Sequence, residues 1–151
     1  MPAPDPQAAL KAKALADVQK TYADLAARPL DRRCELRTGC CHFQATGKIP
    51  LLTRGEALVA AKGLRATGRK SLPGRNDGAC PLLDAKTGRC LVYESRPFGC
   101  RTHFCQAAGG TYPRSHVIDL IRRLEEIDAS LGGDGPHPLP AAVSSALADH
   151  A

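Results

Sequence analysis

Seven cysteines stand in two groups within the 151-residue sequence. The first group occupies CELRTGCC, residues 34–41, and the second occupies CPLLDAKTGRCLVYESRPFGCRTHFC, residues 80–105. An odd number of cysteines cannot pair completely as disulfides within one chain, and thiolates are good ligands for zinc and iron. The grouping therefore predicts a metal centre. Its predicted ligands are Cys34, Cys40, Cys41, Cys80, Cys90, Cys100 and Cys105.

Cys40 and Cys41 are adjacent, which bears on the number of metal ions. Successive side chains of an extended backbone point to opposite sides, so one ion would not ordinarily bind both. The sequence thus indicates two metal ions or one larger cluster. Two tetrahedral zinc sites need eight ligands, and a histidine or a solvent molecule must supply the eighth. The candidate histidines are His42, directly after Cys41, and His103, within the second group.

Local residue choices place the second group of cysteines in turns. Gly99, two residues after Pro97, permits a tight turn that delivers Cys100, and Gly88 has a similar place before Cys90. Several arginines lie within one to four residues of cysteines, and we expect five of them to donate hydrogen bonds to sulfur or to offset its charge. They are Arg33, Arg37, Arg89, Arg96 and Arg101.

The order of these motifs carries a family resemblance. CELRTGCC, a later segment that opens with LTRGE, and the block from Cys80 to Cys105 together resemble the YkgJ-type cysteine-cluster family. The CxxCxxCC domain of that family is described as zinc- or iron-chelating, so the resemblance implies a metal-chelating domain. The chain departs from the pattern at one position, because Arg37 stands where the family has its second cysteine.

Three kinds of function are compatible with these cysteines. The first is zinc binding in a structural or metal-handling role, and the second is an iron or iron–sulfur protein with a redox or sensing role. The third is a metal-assisted enzyme, with an open coordination position near Arg37 or a reactive cysteine. The sequence contains no carboxylate pair near a histidine, no phosphate-binding glycine loop and no nucleophile motif. We therefore expect a non-enzymatic zinc protein and assign no catalytic residue.

Three helices are predicted around the cysteines. Residues 5–28 form the first, with Asp5 as its cap and Pro6 in its first turn. The second starts at Thr53, where TRGE offers a capping box with Glu56, and the third covers residues 115–131. The alanine-rich stretch 140–150 is a candidate fourth helical segment.

This pattern predicts a mainly α fold, a small helical domain of three to four helices around a loop-rich cysteine metal centre. Residues 1–131 would form the single metal-binding domain, and residues 132–151 a connector and a short C-terminal segment.

Composition limits the cellular setting and the partners. Aromatic residues are 4% of the chain, so the apolar core is thin and a bound metal would help to hold it together. The first nineteen residues carry prolines and charges rather than a secretory signal, and no apolar run reaches transmembrane length. We expect a cytoplasmic protein without membrane contact.

Residues 1–123 hold all 21 lysines and arginines, but three tyrosines and three phenylalanines make a poor stacking platform for nucleic acid. A metal ion is the predicted partner.

Overall fold

A computed structural model describes residues 5–28, 49–73, 79–84, 86–102 and 113–148. Those residues contain five α-helices, one two-stranded sheet and two 3-10 turns, so the prediction of a mainly α fold is confirmed. The 3-10 turns are Tyr93–Ser95 and Arg114–His116. The helices and strands are α1 (Pro6–Ala26), β1 (Leu51–Leu52), α2 (Arg54–Ala66), α3 (Phe98–Thr102), α4 (Ile118–Ser130), β2 (His137–Pro138) and α5 (Leu139–Ala148).

The helix starts follow the capping signals in the sequence. The Asp5 carboxylate accepts a hydrogen bond from the Gln7 amide at 3.0 Å, and Pro6 is the first residue of α1. The predicted capping box at the start of α2 is present, since the Glu56 carboxylate accepts from the Thr53 amide at 2.9 Å. The helix predicted over residues 115–131 begins later as an α-helix, because a 3-10 turn precedes it and Val117, with φ of −132°, separates the two.

Helix α2 lies at the centre of the fold. Its Val59 packs with α1 and α4, and Ala60, Ala61 and Leu64 pack into a second apolar cluster with α5. Small side chains let the neighbouring helices come close. A Cβ atom on Gly55 would lie 2.8 Å from Val18 and 2.9 Å from Ile127, so only glycine fits between α1 and α4 at this position.

The C-terminal residues pack against the same central helix. Strand β2 pairs antiparallel with β1, and Leu139 and Val143 of α5 are fully buried. The Arg65 guanidinium of α2 donates to the Ala146 carbonyl oxygen at 3.1 Å, near the end of α5. The fourth helical segment predicted from the alanine-rich sequence is therefore confirmed as a packed helix.

Asp128 of α4 is buried, and its carboxylate fixes the start of α2. It accepts from the Arg54 amide at 2.8 Å and from the Gly135 amide at 3.0 Å. Any side chain at Gly133 would collide with this carboxylate, since a Cβ atom there would approach Asp128 Oδ1. Asp128 thus joins α4, the start of α2 and the loop before β2.

Among the residues that the structure describes, no helix is both long and apolar enough to span a membrane.

Candidate metal centre

Three of the nine predicted metal ligands lie in the part of the chain that the structure describes: Cys80, Cys90 and Cys100. The described residues contain no group of three or more His, Cys, Asp or Glu side chains that could hold a metal ion by itself. The full ligand set stays a prediction. The predicted ligands outside the described residues are Cys34, Cys40, Cys41, His42, His103 and Cys105.

Cys80 and Cys90 stand on one chain reversal, which we name the Cys80/Cys90 loop (residues 79–84 and 86–92). The Leu91 amide donates to the Leu82 carbonyl oxygen at 2.7 Å, and Leu83 and Cys90 form an antiparallel bridge. Gly88 has φ of +70°, a conformation that favours glycine, so the turn predicted before Cys90 is confirmed. The reversal brings the backbone of Cys90 beside the residues that follow Cys80.

Apolar packing anchors the Cys80/Cys90 loop on the helices. Cys80 is buried and belongs to the same apolar cluster as α2 and α5, while Cys90 is half-buried against that cluster. Leu82 and Val92 of the loop are buried beside Leu64 of α2 and Val143 of α5. The loop is held by burial of its leucines and valine, a force that depends on area rather than direction.

Cys100 lies on the short helix α3, and a polar contact fixes the start of that helix. The Phe98 amide, two residues before Cys100, donates to Glu56 Oε1 at 2.8 Å. The Cys100 amide donates to the Pro97 carbonyl oxygen at 3.1 Å. The predicted turn at Pro97 and Gly99 is thus the first turn of a helix that begins over the Glu56 carboxylate.

Glu56 is almost completely buried, with 3% of its surface exposed. Its carboxylate accepts four hydrogen bonds. Two come from the amide and hydroxyl of Thr53, one from the Phe98 amide, and one from the Tyr22 hydroxyl at 3.5 Å. Burial raises the pKa of Glu56, and the hydrogen bonds from Thr53 and Phe98 partly offset that rise. Burial and the nearby Glu56 also raise the pKa of Tyr22, so its hydroxyl keeps the proton that it donates.

Two arginines beside Cys100 stack on tyrosine rings. The Arg96 guanidinium lies 3.9 Å from the centre of the Tyr93 ring, and the Arg101 guanidinium lies 4.0 Å from the centre of the Tyr22 ring. Arg101 donates to the carbonyl oxygens of Arg96 at 2.8 Å and Glu94 at 2.7 Å. We expected these arginines to reach sulfur, but the hydrogen bonds described for them end on backbone carbonyl groups.

Arg101 still has an electrostatic relation to Cys100. Burial lowers the pKa of the Arg101 guanidinium and the positive charge of Arg96 adds to that shift, whereas Glu94 and Cys100 oppose it. An arginine remains protonated under such shifts. It therefore supplies a fixed positive charge next to the cysteine, which favours the thiolate that a metal would bind.

Sequence reasoning missed the long-range contacts of Glu56 and Tyr22. The TRGE motif accounts for the contacts of Glu56 Oε2 with Thr53, but it has no local signal for the second oxygen. Tyr22 lies on α1, and its stacking partner, Arg101, lies 79 positions further along the sequence. Contacts of this kind depend on how distant segments fold together.

The described geometry is that of a small helical domain that presents cysteines from short turns beside a central helix. A family model described as "CxxCxxCC: Putative zinc- or iron-chelating domain" matches residues 30–117, more than half of the chain. The chain belongs to this family of metal-chelating domains, and the matched range includes all seven cysteines together with His42 and His103. Searches of curated proteins and of solved structures found no match.

Proposed function

We propose that this protein binds zinc through its cysteines, with up to two ions per chain, in a structural or metal-handling role. The observation that carries the proposal is the family match, which covers every cysteine of the chain. The described part of the site supports it, because the loop that carries Cys80 and Cys90 and the short helix that carries Cys100 both contact α2. Sulfur donors suit tetrahedral zinc.

The ligand assignment follows from the donors in the sequence. Seven cysteines and one histidine, either His42 or His103, would complete two tetrahedral sites. Closed sites of this kind stabilise small domains, and binding free energy then becomes folding free energy. The thin, alanine-rich core described above would gain most from such a contribution. We also propose a cytoplasmic location, where cysteines remain reduced and able to bind metal.

An iron or iron–sulfur protein with a redox or sensing role is the second candidate, since the family description names both metals. All-thiolate ligation suits iron–sulfur clusters as well as zinc. The substitution of Arg37 for the family cysteine also leaves room for a metal site with an open position, which is the basis of the enzymatic alternative.

Elemental analysis of the full-length protein, purified without oxygen and without added metal, tests the proposal. About two zinc ions per chain with no visible absorption would support it. Iron with a brown spectrum would replace it with the second candidate, and a protein free of both metals after reconstitution would overturn it. Cys100→Ser should lower the metal content, while Ser144→Ala, an exposed change on α5, should leave it unchanged.

A further inference from the structure

Glu56 connects three separate segments of the chain through one buried carboxylate. Its donors come from Tyr22 of α1, from Thr53 before α2 and from Phe98 at the start of α3. A buried carboxylate is costly unless donors surround it, so the three segments are held at a common point. The segment that begins with Phe98 carries Cys100.

The two oxygens of this carboxylate have different partners. Oε2 accepts from the amide and hydroxyl of Thr53, both at 2.9 Å, and the contact with the amide belongs to the capping box of α2. Oε1 accepts from the Phe98 amide at 2.8 Å and from the Tyr22 hydroxyl at 3.5 Å. A capping box uses only the contacts of Oε2. The contacts of Oε1 therefore have a separate consequence, which is the placement of α3.

The same face of α2 receives the cysteine-bearing segment at a second point. Gly63 follows Glu56 by seven residues, which is about two helical turns. A Cβ atom on Gly63 would lie 2.8 Å from Ser95 Oγ and 3.3 Å from Val92 Cγ1, so the chain before α3 lies directly on the backbone of α2. Residues 92–98 thus run along α2 between a close approach to the backbone at Gly63 and a directed hydrogen bond at Glu56.

Arg101, which follows Cys100 on α3, makes a third set of contacts that support the position of this helix. The Arg101 guanidinium stacks on the ring of Tyr22, whose hydroxyl donates to Glu56. Arg101 also donates to the carbonyl oxygens of Glu94 and Arg96, at the entrance to α3. The residues on both sides of Cys100 are therefore tied to Glu56, directly through Phe98 and indirectly through Arg101 and Tyr22.

We propose that Glu56 is a positioning residue of the metal centre, which holds α3 so that Cys100 is presented to the metal. This inference rests on the proposed metal binding. Glu56 itself is not a ligand, because its two oxygens already accept hydrogen bonds from three residues. Residues that orient metal ligands typically change metal affinity by 10–100-fold when they are replaced.

The test compares Glu56→Gln with two controls in the full-length protein. The substitution replaces one carboxylate oxygen with an amide nitrogen, which cannot accept a hydrogen bond, so the contacts with Thr53 and Phe98 cannot both survive. The control Asp128→Asn changes the other buried carboxylate at the start of α2, whose partners are Arg54 and Gly135. The control Thr53→Ala removes a donor to Oε2 and leaves the Phe98 contact in place.

Three readouts separate positioning from general stability. We expect Glu56→Gln to weaken Zn²⁺ binding by about tenfold or more in competition with a chelator. We expect it to change the thiolate-to-metal absorption of the Co²⁺-loaded protein. In chelator-treated protein, we expect faster alkylation of Cys100, mapped by mass spectrometry. Both controls should retain the wild-type Co²⁺ spectrum and the wild-type rate of Cys100 alkylation.

Other results would overturn the inference, or would show that the proposed zinc function has failed while the inference can still be tested. Glu56→Gln with unchanged affinity, spectrum and alkylation rate would overturn it, and so would a Thr53→Ala protein that matches Glu56→Gln in all three. If the wild type binds neither Zn²⁺ nor Co²⁺, the proposed zinc function fails, and the alkylation rates alone decide the positioning of Cys100. If Glu56→Gln does not fold, Tyr22→Phe, which removes one donor to Oε1, should raise the rate of Cys100 alkylation above the wild-type rate, and an unchanged rate would overturn the inference.

Discussion

The Cys80/Cys90 loop and helix α3 present cysteines by different physical means. Leucine and valine side chains bury the loop against α2 and α5, and Cys80 itself lies in that apolar cluster. Helix α3 begins instead at a hydrogen bond from the Phe98 amide to the buried Glu56 carboxylate. Apolar burial fixes how deep a segment lies, whereas a hydrogen bond also fixes its direction. Cys100 therefore has a defined direction that depends on a single carboxylate.

The Cys80/Cys90 loop and α3 are held differently because of the side chains that α2 presents to them. The face of α2 toward the loop consists largely of alanine, with Ala57, Ala60 and Ala61 all buried. Alanine allows close approach but contributes little area, so the loop must supply its own large side chains, such as Leu82. At α3 the large apolar contribution from the short helix is Phe98, and the remaining contacts are polar.

Removing the apolar anchor of the Cys80/Cys90 loop should have the largest effect. Leu82→Ala would leave a cavity in a fully buried position, and we expect a loss of about 2–5 kcal/mol in the free energy of unfolding. Urea unfolding of the metal-loaded protein measures this loss. Leu82→Met, which nearly conserves the volume, should cost less than about 1.5 kcal/mol. Equal stabilities for Leu82→Ala and Leu82→Met would show that apolar packing does not hold the loop.

A larger side chain at Gly63, where residues 92–95 lie against α2, should have the next largest effect. The new methyl group of Gly63→Ala would collide with Ser95, and overpacking costs about 1–3 kcal/mol, partly offset by a helix-propensity gain of up to about 1 kcal/mol. Gly55→Ala makes a similar collision with Val18 and Ile127, in the apolar cluster that does not include the Cys80/Cys90 loop. We expect both to lower the melting temperature.

The reactivity of the cysteines distinguishes these two glycine variants. Only Gly63→Ala should change the alkylation rate of Cys90 at a temperature where both proteins are folded. Mass spectrometry of alkylated peptides measures these rates. Equal changes in both variants would mean that cysteine presentation depends on general packing rather than on the contact of residues 92–95 with α2.

The arginine stack beside Cys100 should have a smaller effect. Arg101→Lys keeps the positive charge but loses the planar group that lies over Tyr22 and donates to two carbonyl oxygens. We expect a loss of about 1 kcal/mol in urea unfolding and faster alkylation of Cys100. Tyr22→Phe keeps the ring under the guanidinium, so it should preserve the stack. An Arg101→Lys protein with wild-type stability and wild-type Cys100 reactivity would show that charge alone suffices.

The smallest effect is expected at the partly exposed ion pair between Asp24 of α1 and Arg123 of α4. The hydrogen bond from Arg123 holds the pKa of Asp24 below its usual range. Arg123→Met should raise that pKa toward the ordinary value, measured by carboxyl NMR titration. A lowered carboxyl pKa stabilises the fold above the ordinary pKa, and this contribution is lost as the pH falls through the lowered value.

The wild type and Arg123→Met should therefore differ slightly in stability near neutral pH and become alike in acid. Arg122→Met removes the same charge from the neighbouring position and should leave the Asp24 pKa unchanged. The alkylation rates of Cys80, Cys90 and Cys100 should be the same in all three proteins. A change at the cysteines would show that they respond to any charge change in the helical scaffold.

Much of the helical framework could be predicted from local signals. Asp5 with Pro6 marked the start of α1, and Thr53 with Glu56 marked the start of α2, because a cap forms between residues that are two or three positions apart. The limits of α4 were less accurate, since the 3-10 turn at residues 114–116 continues the helical pattern without forming an α-helix.

The candidate site could be predicted only in part. Cysteine count and order predicted a metal-chelating domain, and the family match confirms that class of protein. The turn at Gly88 was also foreseen, because a glycine between two polar residues is a local signal. The predicted ligand set, including His42 and His103, stays a prediction, since six of its nine members lie outside the described residues.

The sequence by itself determined the starts of α1 and α2, the chemistry of the donors and the family. Each of these depends on residue types and on short spacings along the chain. Only the tertiary structure decided what surrounds the second oxygen of Glu56 and where the guanidinium of Arg101 lies. A buried charge must find donors wherever the fold provides them, and the amide that satisfies Glu56 belongs to Phe98, 42 positions further along the chain.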